Sequence, residues 1–339
     1  MKNRILPIIF ALFAASFYAI NIPLSKLLMD YINPTMMAGL LYLGAGIGIG
    51  IMFLFKVKRI AKEELLNRND FPYVLGMIIL DIVAPILLMF GIRGTTSGNA
   101  SLLNNFEIVA TSIIALIIFK ETISKKLWIA IALVTLSSGL LTFDLSSLEF
   151  TWQSLLIIAA AICWGFENNF TRKISSKSSY EIVTIKGLCC GVGSIIIGFI
   201  IGEQFPLSIY LLYALILGFV AYGLSIFFYI KAQAKLGAAK TSAFYAINPF
   251  IGVILSLIIL KEMPNWNFYV ALAIMLAGTI LIVIDTLERR HSHMHVHVIT
   301  HTHDGTTHTH IIEHSHPHNH FIDEENHTHK HLHIHENEE

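Results

Sequence analysis

Long apolar runs dominate this chain and limit what it can fold into. A helix of about twenty apolar residues crosses the hydrocarbon core of a bilayer, which is roughly 30 Å thick. With 55% hydrophobic residues, 14% charged residues and a mean hydropathy of +0.65, the chain is too apolar for an ordinary soluble domain. The sequence predicts an all-α integral membrane protein with ten transmembrane helices. The predicted spans are 5–28, 34–55, 71–92, 97–119, 127–143, 152–172, 181–202, 208–230, 241–260 and 267–285.

Lysine and arginine are distributed unevenly between the joints that connect these spans. If the amino terminus is cytoplasmic, eighteen of these residues fall on the cytoplasmic side and only Lys26, Arg93 and Lys261 on the other. Short cytoplasmic loops carry this excess in multi-pass proteins. The first span is too long for a signal peptide, so it is expected to be retained. Ten crossings then place both termini in the cytoplasm, in a protein of the cell membrane.

The chain also resembles itself at a distance of about half its length. A shift of 141 residues aligns 101–121 with 242–262, and a shift of 146 aligns 14–26 with 160–172. This repeat predicts two five-helix units, at 1–146 and 147–288. Because five is odd, the second unit enters the membrane from the opposite side, and such inverted repeats are typical of secondary transporters.

Two repeated segments carry a resemblance to a known family. The segments "FEIVATSIIALIIFKE" and "NPFIGVILSLIILKE" each end the fourth helix of a unit and precede one more apolar helix. They resemble the drug/metabolite transporter superfamily, in its ten-helix EamA-like branch, over residues 5–285. The resemblance implies a helical bundle with cytoplasmic termini that exports or exchanges small organic solutes. Glu107-Ile108 stands where Glu-Pro is usual, whereas the second unit has Asn248-Pro249, so a proline kink is expected in the second unit only.

Polar side chains inside the spans are the candidate site residues, because they are costly in a membrane and need a reason to be there. Asp81, Glu107 and Glu167 are candidates for binding or coupling, as carboxylates that exchange a proton. Under the repeat, Glu107 corresponds to Asn248, Glu167 to Asn21, and Asp81 to Tyr222. The alternative is that these groups only join helices through hydrogen bonds. The amides and aromatic rings expected to hold substrate are Asn21, Asn104, Asn105, Asn168, Asn248, Tyr18, Trp164 and Tyr222.

One cation also lies within a span. Lys186, in the seventh span, can pair with a carboxylate or extend its ammonium group to the nearby interface. No metalloprotease, nucleophile-elbow or phosphate-loop motif is present in the sequence, so an enzyme is not predicted. The basic joints account for topology and do not form a nucleic-acid-binding surface.

The last fifty residues differ from the rest of the chain. All seventeen histidines lie between His291 and His335, mostly spaced as His-x-His among Thr, Asn and Glu. The composition predicts a disordered cytoplasmic tail at 289–339. Neutral imidazoles bind Zn, Ni, Co or Cu. The predicted ligands are His291, His293, His295, His297, His301, His303, His308, His310, His314, His316, His318, His320, His327, His329, His331, His333 and His335.

The function predicted from these features is secondary transport of a small organic metabolite, coupled to protons or to a counter-solute. No cofactor is required, the tail is regulatory, and the partners are the solute, the bilayer and transition-metal ions, with a homodimer left open. One rival is a divalent-metal transporter whose tail collects the metal, although hard oxygen ligands along the path suit Mg or Mn better than the metals that histidine prefers. The other rival is a membrane-tethered metal buffer or sensor without flux.

Overall fold

The computed structural model of the chain describes residues 2–119, 124–144, 149–236, 241, 244–261, 264–303 and 306–321. These residues belong to two compact units, Met1–Val283 and Ile284–Glu339. The first unit is helical. Among the described residues, six helical segments are long and apolar enough to cross a membrane. The fold is therefore that of a multi-pass membrane protein, and the full count of ten crossings stays a prediction.

The first half of the helical unit contains seven α-helices in its described part. Three short 3₁₀ turns, Val57–Arg59, Lys62–Glu64 and Arg68–Asp70, lie in the charged joint between the third and fourth helices. Helix α3 begins with a proline, whose fixed φ angle suits the first turn. The helices are α1 (Lys2–Ala19), α2 (Asn21–Leu28), α3 (Pro34–Lys56), α4 (Phe71–Arg93), α5 (Ser97–Leu103), α6 (Phe106–Phe119) and α7 (Lys125–Thr142).

The second half follows a short two-stranded ladder of β1 (Phe143–Asp144) and β2 (Glu149–Phe150). One of its helices is interrupted by a π-helical segment, Gly218–Leu224, between α10 and α11. The helices described in this half are α8 (Trp152–Ile174), α9 (Ser179–Ile200), α10 (Ile209–Leu217), α11 (Ser225–Leu236), α12 (Asn248–Leu260) and α13 (Trp266–Leu287).

Two predicted spans are broken where the sequence places asparagine. The first span breaks at Ile20, directly before Asn21, and the fourth breaks at Asn104 and Asn105, between α5 and α6. In the second half, a turn at 246–247 precedes Asn248. The turn in the second half lies directly before Asn248-Pro249, where the proline kink was expected. In the first half, the break at Ile20 lies three residues before Pro23, whereas the break at Asn104 and Asn105 has no proline beside it. Asparagine side chains can compete there for backbone hydrogen bonds. Broken helices are common beside the binding sites of transporters.

The two halves of the helical unit are interleaved. Helix α3 packs against α9, α4 against α8, and α1 against α11. Under the repeat, α3 corresponds to α9, while the pair α4 and α8 corresponds to the pair α11 and α1. Each of these contacts therefore joins one half to the other. The contact of α3 with α9 is its own equivalent under the repeat, and the contact of α4 with α8 is the equivalent of that of α11 with α1. This pattern is the one expected for two repeats related by a twofold axis, and it supports the predicted repeat.

Glycine allows the closest of these contacts. A Cβ atom built on Gly187 of α9 would lie 2.3 Å from the backbone nitrogen of Gly46 in α3. No side chain fits at that distance, so the two helix backbones touch there. Small residues commonly bring membrane helices together in this way.

Gly187→Ala is expected to destabilise the helical unit by about 1–3 kcal/mol, because the added methyl group forces α3 and α9 apart. The measurement is thermal unfolding of the purified protein in detergent. Gly139→Ala is the matched control, since a Cβ there meets nothing within 4 Å. The control should leave the melting temperature unchanged or raise it slightly. Equal melting temperatures for the two variants would contradict the close contact.

The second unit contains two long strands where the sequence predicts disorder. β3 (Glu288–His303) pairs antiparallel with β4 (Thr306–Phe321). The prediction of a disordered tail is therefore wrong for these residues. Histidine alternates there with β-branched Val, Ile and Thr, which favour extended chain and pair well across strands. Residues 304–305 and 322–339, which include the five predicted metal ligands from His327 to His335, lie outside the described residues.

Candidate functional site

Polar residues from many helices converge on a cavity inside the helical unit. Helices α1, α3, α4, α6, α8, α9 and α11 and the π-helical segment all contribute side chains, so both halves of the chain form its wall. The predicted residues that line it are Tyr18, Asp81, Glu107, Trp164, Glu167, Asn168 and Tyr222.

A buried ion-pair cluster forms one side of the cavity. The Lys186 ammonium lies 2.8 Å from a carboxylate oxygen of Asp81 and 2.8 Å from one of Glu167. The three residues are at most 4% exposed. Of the two interpretations of Lys186, pairing with a carboxylate is confirmed and extension to the interface is wrong, because α9 starts at Ser179 and carries this lysine into the bundle. The lysine is held between two carboxylates, which is how a buried charge is tolerated.

Further donors hold each carboxylate of this cluster. The Tyr42 hydroxyl and the Trp164 indole nitrogen donate to Asp81 Oδ1 at 2.8 and 3.2 Å. The Thr171 hydroxyl donates to Glu167 from one turn away on the same helix. The orientation of Asp81 is therefore fixed by groups from α3, α8 and α9, and that of Glu167 by its own helix and α9.

Glu107 has a different environment. It lies in the first turn of α6, directly after the break at Asn104 and Asn105. The Asn168 amide donates to its carboxylate at 2.6 Å. Within the part of the chain that the structure describes, no cation forms an ion pair with it. Among the described residues, Glu107 is thus the lining carboxylate that forms no ion pair.

The broken helices form a second cavity beside the first. Both cavities are lined by Glu107, Asn168, Tyr229 and Tyr245. The predicted residues Asn104, Asn105 and Asn248 line this second cavity. Asn105 donates to the Thr279 hydroxyl at 3.1 Å. The Asn104 side-chain oxygen is buried and has no hydrogen-bond partner among the described residues.

Asn21 is the one predicted site residue that lines neither cavity. It is fully buried, donates to the Tyr222 hydroxyl at 3.3 Å and accepts from the Ser25 hydroxyl at 2.9 Å. Its position fixes Tyr222, which lies in the π-helical segment and faces the main cavity. Asn21 is therefore a positioning residue.

Aromatic rings also line the main cavity. The ring of Tyr18 lies 5.6 Å from that of Tyr222, 6.1 Å from that of Tyr245 and 6.3 Å from that of Trp164, between centroids. Tyr42, Tyr229 and Tyr245 line the cavity although sequence reasoning did not select them. Their only signal is a tyrosine within an apolar span, and core packing or the membrane interface explains such a tyrosine equally well.

The opposite ends of these helices are in close contact. The hydroxyl groups of Ser97 in α5 and Ser256 in α12 are 2.8 Å apart. A Cβ atom on Gly252 would lie 2.8 Å from the Ser101 hydroxyl oxygen, so α5 and α12 touch directly. The rings of Tyr31 and Tyr210 are stacked with their centroids 3.7 Å apart. The two halves of the chain thus meet firmly at this end.

Known proteins agree with this architecture. A transporter of Methanothermobacter thermautotrophicus described as uncharacterized is 27% identical over 294 residues, which cover 79% of this chain and 83% of the relative. The uncharacterized transporter YyaM of Bacillus subtilis is 23% identical over 246 residues, covering 69% of this chain and 79% of the relative. One crystal structure superposes with a TM-score of 0.62 at 13% identity, over 83% of this chain and 96% of that one, and shows a shared fold.

The family model named EamA-like transporter family matches the chain twice, at residues 5–143 and at residues 151–284. The two matches together cover most of the chain and leave out the histidine-rich tail. The resemblance to the drug/metabolite transporter superfamily is thereby confirmed. The chain belongs to the EamA-like transporter family.

Proposed function

We propose that this protein is a secondary transporter of the cell membrane that moves a small organic metabolite by alternating access. The observation that carries the proposal is the charged cavity between the two halves, with Asp81, Glu107, Glu167 and Lys186 in its wall. Intramembrane ionisable residues that face a cavity are typical of transport pathways. Membership of a transporter family favours transport over catalysis.

The packing of the bundle supports access from one side at a time. The contacts of Ser97 with Ser256 and of Tyr31 with Tyr210 close one end. The cavity lies toward the other ends of the helices, since Asn168 and Thr171 are in the last two turns of α8. Under the predicted topology, with both termini cytoplasmic, this cavity faces the cytoplasm. If the closed end opens while the open end closes, a bound solute is carried across the membrane.

The charged residues have separate parts in this proposal. Asp81 and Glu167 share the Lys186 ammonium, so a change at either carboxylate alters its attraction to the lysine and the packing of α4, α8 and α9. Glu107 takes up a proton or a charged group of the solute. The amides and tyrosines that line the two cavities hold the uncharged part of the solute.

An organic cargo fits these residues better than a transition metal. The carboxylates of Asp81 and Glu167 are occupied by Lys186. Among the described residues, no group of three or more His, Cys, Asp or Glu side chains is placed to hold a metal ion. Metal transport remains the rival function, and the flux experiment decides between the two.

We further propose that the tail binds Zn, Ni, Co or Cu and regulates the transporter. The strand register supports this role. Position pairs such as His291 with His318, His293 with His316, and His295 with His314 are directly opposite in the ladder. The histidines of β3 and β4 recur at alternate positions in this register. Histidines that are paired across strands or spaced as His-x-His are suited to shared metal ligation.

The experiment that tests the proposed function compares the full chain with a chain ending at Arg290 in proteoliposomes. Flux of Zn, Ni, Co and Mn is recorded beside flux of amino acids, amines and related metabolites under an imposed pH gradient. We expect both proteins to move an organic solute and only the full chain to respond to added metal. Metal flux in the shortened chain would make metal the cargo. Absence of all flux would favour a metal buffer or sensor.

A further inference from the structure

The cavity contains more negative than positive side chains. Asp81, Glu107 and Glu167 line it, and Lys186 is the cation among its described lining residues. Lys186 is already bound by two carboxylates at 2.8 Å each. Its ammonium group is therefore not free to bind an anionic group of a solute, because it would have to leave a buried carboxylate unpaired.

Glu107, unlike Lys186, forms no ion pair among the described residues. Its carboxylate accepts from the neutral Asn168 amide and lies where the two cavities meet. A carboxylate removed from water needs a proton or a cation as partner. A cationic solute can supply that partner without displacing any group of the protein.

The neighbouring amide points to the same chemistry. The Asn104 side-chain oxygen is a hydrogen-bond acceptor, the residue is 2% exposed, and no described group donates to this oxygen. Asn104 and Glu107 line the same cavity. A buried acceptor without a donor is unfavourable, so a solute with several N–H groups would satisfy both residues.

The aromatic wall is also suited to a cation. Tyr18, Tyr222, Tyr229 and Tyr245 line the main cavity together with Glu107. The Tyr229 and Tyr245 rings are 5.1 Å apart between centroids, so the rings are continuous from α1 to α11. Aromatic faces attract an ammonium group, and the attraction is stronger where water is excluded.

From these observations we infer that the cavity selects small organic amines, with the ammonium group beside Glu107 and Asn104, over amino acids and carboxylates of the same skeleton. The inference rests on the proposed transport function and names its substrate class. Amines are preferred to amino acids because Lys186 is held by Asp81 and Glu167. Carboxylates are excluded because Glu107 repels them.

The test measures binding to the purified full-length protein in detergent with two matched series of probes. The first is 2-phenylethylamine, phenylalanine and 3-phenylpropanoate, and the second is n-butylamine, norvaline and pentanoate. Within each series the skeleton is constant while the charged groups change. Isothermal calorimetry should give at least about tenfold tighter binding of one or both amines than of the matching amino acid, a difference of about 1.4 kcal/mol. The carboxylates should not bind.

Variants at Glu107 connect the preference to the site. Glu107→Gln should remove it, while Glu107→Asp, which retains the charge, should keep it at lower affinity. Melting curves without probe establish that both variants fold. Equal or tighter binding of the amino acids or carboxylates overturns the inference, as does failure of both amines to bind or a preference that survives in Glu107→Gln.

The outcome for transport is separate from this result. Flux of organic solutes without amine selectivity would support the transport function and contradict the inferred substrate class. Amine binding without flux of any solute would keep the binding site and contradict the transport function.

Discussion

Lys186→Met is expected to lower the stability of the folded protein by about 3–5 kcal/mol, the largest effect we predict for a single substitution. Removing the ammonium group leaves Asp81 and Glu167 buried beside one another without a cation. Breaking a buried ion pair in this way is strongly destabilising because an uncompensated charge remains. The measurement is thermal unfolding in detergent, together with the yield of monodisperse protein.

Two further proteins make this prediction specific. Neutralising the whole cluster, with Asp81→Asn and Glu167→Gln added to Lys186→Met, should recover most of the lost stability, because no buried charge is left. Lys58→Met is the matched control, since Lys58 is exposed in the joint after α3. If the triple variant melts as low as the single variant, the loss does not come from unpaired charge.

Glu107→Gln is expected to abolish solute transport while leaving the fold intact. The substitution is nearly isosteric, and the glutamine oxygen can still accept from the Asn168 amide. Because Glu107 has no ion-pair partner among the described residues, its neutralisation does not leave a buried cation unpaired. A bound cation that loses its charged partner is expected to lose about 2–5 kcal/mol of binding free energy. Glutamine does not titrate, so it cannot couple flux to protons.

The measurement for Glu107 is the initial rate of uptake into proteoliposomes, normalised to the amount of folded protein. Glu63→Gln is the control, because Glu63 is an exposed carboxylate in the joint between α3 and α4. The control should transport at the rate of the unaltered protein. Undiminished flux in Glu107→Gln would show that this carboxylate has no part in binding or coupling.

Sequence reasoning identified much of the candidate site because polar residues in a membrane need partners. Asp81, Glu107, Glu167 and Asn168 were expected to face the bundle interior, and the structure brings them to one cavity. The composition of the spans and the position of each residue within its span were enough for this. Neither feature indicates which partner a residue has, so the sequence left pairing of Lys186 open and did not indicate that it pairs with both Asp81 and Glu167.

The breaks in the helices were harder to predict. An apolar run gives no signal when the backbone leaves the helix for one or two residues, as it does at Asn104 and Asn105. Asparagine is common within membrane helices as an interhelical hydrogen-bonding group, so its presence alone does not mark a break. Tyr229 and Tyr245 were missed for a similar reason, because tyrosine near a span end is typical of the membrane interface.

The tail shows a different limit of sequence reasoning. The His-x-His spacing predicts that an extended chain places its imidazoles on one face, but low-complexity composition gave disorder as the expectation. Pairing of β3 with β4 depends on contacts up to thirty-three residues apart, between Glu288 and Phe321. Local composition does not encode such contacts.

In the proposed mechanism, one internal site is exposed alternately to the two sides of the membrane. Counterflow in proteoliposomes tests it most directly, with the chain ending at Arg290 and a radiolabelled amine at low concentration outside liposomes loaded with the same unlabelled amine. The account predicts transient accumulation of label above equilibrium, which disappears in Glu107→Gln. A rise of label to equilibrium without an overshoot would contradict it, and no entry of label would contradict the amine as the substrate.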